Sequence, residues 1–127
     1  MKNVISWFEI YTTNFERAMN FYSQVFQYKL TELPMSNDNH PDMRYATFSH
    51  DDNGKGVGGA LVKIKEVNPG YGGTLVYFDT NDIDAELSRV EGAGGKIIRW
   101  KQSIGEYGFI ALVEDSEGNM IGLRSMK

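Results

Sequence analysis

The chain has 127 residues, 41% of them hydrophobic and 24% charged, so one compact globular domain over residues 1–127 is expected. A net charge of −4 without a lysine or arginine cluster argues against a nucleic-acid partner, and no apolar run reaches the ~20 residues that cross a membrane. The absence of cysteine excludes disulfides and thiol nucleophiles, and since no apolar signal region precedes the first strand pattern, we expect a cytoplasmic protein without a membrane partner.

The first half of the chain predicts a strand, a helix and three further strands. Residues 4–11 are rich in β-branched and aromatic types, which is typical of a strand. Thr13 and Glu16 have the spacing of a capping box with Thr13 as the N-cap. Apolar residues at three- and four-residue spacing then predict a helix to about residue 26. Three short strands are expected near 28–34, 43–50 and 57–65, with a hairpin turn at 51–54.

The same order of elements recurs in the second half. Residues 74–79 predict a strand, and Asn81-Asp82 begin a second helix with a capping side chain, which runs to about Glu91 before a glycine-rich break. A shift of 68 residues superposes the two halves in hydrophobic pattern. We therefore predict an α+β fold of two tandem βαβββ modules, about 1–67 and 68–127. The remaining strands are expected near 96–100, 106–114 and 119–125, with a turn at 116–119.

Three segments, FERAMNFY (15–22), GAGGK (92–96) and VEDSEGNMIGL (113–123), together resemble the vicinal-oxygen-chelate superfamily, which includes glyoxalases, bleomycin-resistance proteins and dioxygenases. Through WFEI (7–10) and GTLVYF (73–78) the chain looks closest to proteins related to lactoylglutathione lyase. The resemblance implies two modules that curve a mixed sheet around a cleft, often completed by dimerisation. It also implies a small organic substrate held beside a divalent metal. A homodimer that binds a small organic molecule is therefore expected.

The resemblance further implies metal ligands on the first and last strands of each module, usually His or Gln on the first and Glu on the last. The corresponding positions in this chain are Trp7, Leu75, Gly122 and Ala60, with an uncertainty of one residue toward Gly59. None of these side chains is a metal ligand. We therefore predict no metal at the family's site and no cofactor, and an alternative metal site would have to recruit Glu9.

The other motifs that could carry chemistry have simpler interpretations. His40 and His50 adjoin predicted turns, where surface positions are favoured, although His50 with Asp51 and Asp52 could hold an adventitious cation. No serine, histidine and acid stand in a recognisable triad frame. The glycine-rich run at 54–59 lacks the following helix of a phosphate loop, so close strand packing or a bulge is favoured.

Strand alternation predicts which side chains line the cleft. The resulting surface is aromatic with a few acids and suits a flat or apolar molecule held by stacking and one or two polar anchors. Trp100, Tyr107 and Phe109 could wall the pocket, although core or dimer-interface residues would look the same in sequence. The predicted lining is Trp7, Glu9 and Tyr11 from module one and Leu75, Tyr77 and Asp79 from module two.

Glu9 decides between the functional hypotheses. Between aromatic residues it would be desolvated and could act as a general base, or it could hydrogen-bond a backbone amide or the Tyr77 hydroxyl and only order the core. The first hypothesis is a metal-free binding protein for a small aromatic molecule. The second is a lyase or isomerase acting on a carbonyl compound, with Glu9 as base and Tyr77 as hydrogen-bond donor. The third is a structural or regulatory domain whose cleft is closed by Trp7 and Tyr77.

Overall fold

A computed structural model describes residues 7–36, 40–49, 56–65, 67–72 and 75–127, without the side chain of Tyr107. Two βαβββ modules follow one another, which confirms the predicted α+β class and element order. The first contains β1 (Trp7–Tyr11), α1 (Phe15–Phe26), β2 (Leu30–Leu33), β3 (Arg44–Phe48) and β4 (Gly58–Lys63). The second contains β5 (Tyr77–Asp79), α2 (Ile83–Val90), β6 (Lys96–Ser103), β7 (Phe109–Glu114) and β8 (Met120–Ser125), with a short 3-10 helix at Gly105–Tyr107.

The strands form two four-stranded mixed sheets of the same topology, β1-β4-β3-β2 and β5-β8-β7-β6. In each sheet the first strand of the module pairs parallel to the last, with Glu9 opposite Ala60 and Tyr77 opposite Gly122. The predicted 68-residue shift places Glu9 on Tyr77, so the two modules agree in strand register as well as in element order. No ladder joins the two sheets within the described residues.

The helix-side faces of both sheets meet in one shared core. The Phe78 ring, on β5, lies with its centroid 5.7 Å from that of Phe8, 5.8 Å from Phe48 and 4.9 Å from Phe26. A side chain of the second sheet is thus packed against both the first sheet and α1. Because strand residues alternate between faces, the faces that carry Glu9 and Tyr77 point away from this core and stay open.

Helix α1 begins differently from the prediction. Its N-cap is Asn14, whose side chain accepts a 3.0 Å hydrogen bond from the Arg17 amide, so Thr13 as the N-cap was wrong by one residue. Thr13 instead donates its amide and hydroxyl to Glu117 of the turn between β7 and β8, at 3.1 and 3.3 Å. The Thr13 hydroxyl therefore bonds a buried carboxylate of the other module instead of capping α1. The local sequence pattern does not reveal this partner.

Other predicted boundaries shift in the second module. The N-cap of α2, Asp82, makes no side-chain capping bond, so the predicted cap there was also wrong. Strand β5 starts only at Tyr77, which leaves Leu75 before it, and β6 continues to Ser103, which places Trp100 inside a strand.

The predicted turn at 51–54 and His50 lie outside the described residues. No described helix is long and apolar enough to cross a bilayer.

Gly59 explains part of the glycine-rich run before β4. A Cβ at this position would stand 2.4 Å from the Phe8 ring, because the ring lies directly over the glycine where β1 pairs with β4. Phe8 can reach the core aromatic rings only across a residue that has no side chain. Close strand packing, rather than a phosphate loop, therefore accounts for this glycine.

Candidate functional site

Four side chains form a hydrogen-bonded group on the face of the first sheet that points away from the core, which we call the first open face. The Trp7 indole nitrogen donates to the Tyr45 hydroxyl at 3.1 Å, and Tyr45 donates to Glu9 Oε2 at 3.0 Å. Tyr11 donates to the other oxygen of the same carboxylate, Oε1, at 2.9 Å. Each oxygen of Glu9 thus accepts one phenolic hydrogen bond.

Strand register brings these residues together across the small residues of β4. Tyr11 and Tyr45 both lie opposite Val62, one on each side of it, and Glu9 lies opposite Ala60. Ala60 and Val62 are buried, and their short side chains leave room for the longer ones to meet above β4. The sequence therefore positions the carboxylate through alternation on β1 and β3 rather than through a loop.

The first open face is exposed in the single chain. Trp7 retains 41% of its accessible surface and Glu9 is exposed. The expected desolvation of Glu9 is therefore wrong for the single chain, because none of the described helices and strands covers this face. Burial, reinforced by the Glu9 carboxylate, raises the pKa of both Tyr11 and Tyr45. Both phenols therefore stay protonated near neutral pH and act as donors to Glu9.

A cavity of about 220 Å³ adjoins this face, beside Glu9 and Tyr11. One wall is fixed by Asn119, whose amide nitrogen donates to the Tyr11 carbonyl at 2.8 Å and whose side-chain oxygen accepts from the Gly70 amide at 2.7 Å. The start of β8 is thereby tied to the end of β1. The cavity lining also includes Ile10, Asn68, Gly72, Val76, Met120 and Ile121.

Tyr77 lies on the corresponding face of the second sheet, which we call the second open face. Its ring covers Gly122, where a Cβ would stand 2.4 Å from the tyrosine Cδ1, and it is 46% exposed. Asp79 on the same face pairs with Arg124 at 3.6 Å, and Leu75 is half-buried. Within the described part of the chain, no hydrogen bond joins Tyr77 to Glu9, and the cavity beside Glu9 does not include Tyr77.

The three other predicted pocket residues fall in different places. Trp100 is 63% exposed on the edge strand β6. Phe109 packs against the core instead, with the Lys101 ammonium 4.5 Å from its ring centroid, which agrees with the core alternative that the sequence left open. On β7, Phe109 shares a face with the buried residues Ala111 and Val113, and it pairs with the buried Ser125 of β8. Its side chain therefore points toward the core. Tyr107 lies in the 3-10 helix.

Sequence reasoning missed Tyr45, which links Trp7 to Glu9. The available signal was alternation in the predicted strand 43–50, where Met43, Tyr45 and Thr47 share a face. Tyr45 and Val62 form a small buried cluster with Ala60, against which Tyr11 and Met43 pack. Alternation gives the face of Tyr45, and the strand order β1-β4-β3 then brings it across Val62 from Tyr11.

The donor set does not fit the divalent metal that the resemblance implies. Trp7, Leu75, Ala60 and Gly122 carry no metal-binding side chain. Within the residues that the structure describes, no three His, Asp or Glu side chains are grouped closely enough to hold a metal ion. Glu9 is the carboxylate of the hydrogen-bonded group on the first open face, and one carboxylate beside protonated phenols does not supply the several ligands that a divalent ion needs. The residues of this face therefore do not fit a divalent metal ion.

Comparison with solved structures shows the same fold in proteins of low sequence identity. Maize glyoxalase I is 22% identical, with a TM-score of 0.72 over 94% of this chain and 45% of the maize chain, so this chain spans less than half of that enzyme. TnmS3, an antibiotic binding protein from Streptomyces sp. CB03234, is also 22% identical, with a TM-score of 0.65 over 97% of this chain and 95% of its own. A glyoxalase/bleomycin resistance protein/dioxygenase family enzyme from Burkholderia phytofirmans PsJN is 19% identical, with a TM-score of 0.66 over 96% and 98%.

A search of the curated proteins finds no match to this sequence. The family model described as "Glyoxalase/Bleomycin resistance protein/Dioxygenase superfamily" matches residues 4–123, nearly the whole chain. Together with the two βαβββ modules, this match shows that the chain belongs to the glyoxalase/bleomycin resistance protein/dioxygenase superfamily.

Proposed function

We propose that this protein binds a small aromatic molecule on its first open face without a divalent metal. The observation that carries the proposal is the Glu9 carboxylate, held by two tyrosine hydroxyls beside an exposed tryptophan. A ligand could stack on the Trp7 ring and donate a hydrogen bond to Glu9. Such a combination of flat apolar surface and a fixed acceptor is typical of small-molecule sites.

The hydrogen-bond group also makes this face well suited to binding without further ordering. Trp7 is held through its indole nitrogen although 41% of its surface is exposed. Side chains that are already fixed lose less conformational entropy when a ligand arrives. Support from relatives comes from TnmS3, which is described as an antibiotic binding protein and shares the fold.

The lyase or isomerase hypothesis requires more than one chain provides. Glu9 as base and Tyr77 as donor would have to reach the same substrate, yet they lie on different sheets and on faces that both point away from the shared core. The closed-cleft hypothesis is disfavoured because Trp7 and Tyr77 keep 41% and 46% of their surface exposed. Catalysis is therefore tested together with binding, by measuring turnover in the unmodified protein and in Glu9→Gln.

We also propose that two copies associate, with the first open face of one copy against the second open face of the other. Large apolar side chains remain exposed on both modules, including Trp7, Leu33, Tyr77, Ile98 and Trp100. Exposed apolar surface of this kind marks interaction sites. In this arrangement Tyr77 of one copy would approach Glu9 of the other, which would complete the cleft that one chain leaves open.

Trp100→Glu is expected to convert such a dimer into a monomer, because it replaces a 63% exposed indole with a charge at an apolar interface. Light scattering coupled to size-exclusion chromatography should give twice the 14.3 kDa chain mass for the unmodified protein and the mass of one chain for the variant. Gln24→Glu adds the same charge at an exposed position of α1, on the helix side of the sheets and away from both open faces, and should remain dimeric. A monomeric unmodified chain at micromolar concentration would refute the proposed association.

Glu9→Gln is expected to weaken the binding of 1-naphthol about fivefold, since a charge-assisted hydrogen bond becomes a neutral one. Isothermal titration calorimetry measures the change. 1-Methoxynaphthalene, which lacks the donor, should bind the unmodified protein more weakly and be insensitive to Glu9→Gln.

Glu106→Gln serves as the matched control, because Glu106 is an exposed glutamate in the 3-10 helix, and it should leave naphthol affinity unchanged. Equal naphthol affinity for the unmodified protein and Glu9→Gln would rule out Glu9 as the anchor. Turnover of methylglyoxal in the presence of glutathione that disappears in Glu9→Gln would favour the enzyme hypothesis instead.

A further inference from the structure

A second cavity, of about 240 Å³, lies in the second module away from Glu9. It opens where β5 ends, where α2 begins and where β8 leaves the sheet. None of the proposed ligand contacts on the first open face borders it. Its lining consists of Phe26, Tyr28, Asp79, Thr80, Asn81, Glu86, Arg124, Ser125 and Met126.

Two oxygen atoms beside this cavity are buried without a hydrogen-bond partner. They are Glu86 Oε2 and Thr80 Oγ1, and among the described residues they are the buried side-chain atoms left unpaired. The Thr80 hydroxyl is near enough to lower the pKa of Glu86, but no hydrogen bond of normal geometry forms between the two side chains. Buried polar atoms are nearly always paired, and since the Thr80 hydroxyl is itself a donor, it is the Glu86 carboxylate that has room for a further donor.

The charges around Glu86 favour a cation as that donor. Asp79 pairs with Arg124 at 3.6 Å, and Arg89 turns to the Val25 carbonyl at 2.8 Å. Asp82, before α2, adds further negative charge and raises the pKa of Glu86. Among the described side chains, Glu86 therefore makes no direct ion pair, although the Arg89 charge acts on its carboxylate from a greater distance and lowers its pKa.

The remaining walls are apolar and aromatic. Phe26 and Tyr28 stack on each other with ring centroids 5.5 Å apart, and Met126 borders the opening. Tyr28 keeps its proton, because burial and the acids Glu86 and Asp79 raise its pKa. Aromatic faces attract cations as well as apolar groups.

We propose that this cavity binds a small primary ammonium compound with an apolar body, its ammonium group donating to Glu86 and Thr80 and its body resting on Phe26 and Tyr28. The ammonium supplies three donors, enough for both unpaired oxygens. An anion would meet the Glu86 and Asp79 carboxylates, and a neutral alcohol would leave the Glu86 charge uncompensated.

Benzylammonium chloride is the probe, titrated by calorimetry at pH 8, with benzyl alcohol and sodium benzoate as neutral and anionic analogues. Benzylammonium should bind more tightly than either analogue. Glu86→Gln should weaken it tenfold or more, since a bond to a charged acceptor is lost, and Thr80→Val should weaken it to a smaller extent. Glu91→Gln, a substitution of an exposed glutamate at the other end of α2, is the matched control and should have no effect.

A pH series supplies a second readout. Burial raises the pKa of Glu86 to about 7, so its ionised fraction, and with it the benzylammonium affinity, should rise about tenfold between pH 6 and pH 8. Equal binding of benzyl alcohol and benzylammonium, or full affinity in a folded Glu86→Gln variant, would overturn the proposal. Since 1-naphthol is expected on the first open face, its affinity should be the same in Glu86→Gln, which separates this proposal from the proposed function.

Discussion

Glu117→Ala is expected to lower the free energy of unfolding by about 3 kcal/mol, because hydrogen bonds to a buried charge are lost together. The Glu117 side chain has no exposed surface, and its carboxylate accepts from the amides of Thr13 and Asn14, the Arg17 guanidinium and the Ser116 hydroxyl. Arg17 is half-exposed, which keeps the loss below that of a fully buried ion pair. Urea unfolding followed by circular dichroism measures it.

Glu106→Ala is the control for this loss, since it removes an exposed carboxylate and should change stability by less than about 0.5 kcal/mol. A similarly small effect for Glu117→Ala would show that the turn between β7 and β8 does not hold the start of α1.

The same carboxylate predicts a pH dependence. Burial alone would raise the pKa of Glu117, but Arg17, the Asn14 and Thr13 amides and Ser116 together hold it below its ordinary value. Its contribution is therefore present above the unfolded value near 4.5 and is lost as pH falls through the lower folded value. Glu117→Gln should flatten this acid loss. Asp115 acts in the opposite direction, since burial raises its pKa and acidification relieves the cost of its charge.

Gly95→Ala is expected to destabilise the protein by about 3 kcal/mol through overpacking. A Cβ there would stand 2.4 Å from Cε1 of Phe21 and 2.6 Å from the Glu114 carbonyl oxygen. Phe21 is fully buried on α1 and the carbonyl belongs to β7, so neither can move aside cheaply. Thermal unfolding should show a marked fall in midpoint temperature.

Gly92→Ala is the matched control, because the nearest atom to its Cβ, the Arg89 carbonyl oxygen, is 4.0 Å away. It should be close to neutral. If both alanine variants unfolded at the same temperature as the unmodified protein, the close packing of the glycine break against α1 would be disproved.

The modules were predictable because each carries its own local pattern. Apolar spacing gave α1, and the 68-residue shift that pairs Asn14 with Asp82 and Glu9 with Tyr77 reflects two copies of one packing problem. The N-cap of α1 was not predictable, because it depends on a contact with the other module. Thr13 donates to the Glu117 carboxylate instead of capping α1, and no feature near Thr13 in the sequence predicts a partner 104 residues away.

The candidate site was predictable in composition but not in arrangement. Alternation on β1 correctly placed Trp7, Glu9 and Tyr11 on one face, since a strand fixes direction at every second residue. It could not show that this face is open in one chain, because that depends on Phe78 of the second sheet packing on the helix side of the first. The directions of Leu75 and Phe109 depend on where β5 and β7 begin, which the sequence pattern places only approximately.

The most direct test of the proposed function is a crystal structure of the protein grown with 1-naphthol. We predict the naphthalene ring against Trp7, its hydroxyl within hydrogen-bond distance of a Glu9 oxygen, and no metal ion on the first open face. Naphthol bound elsewhere, or a stoichiometric divalent ion coordinated by Glu9, would contradict the account.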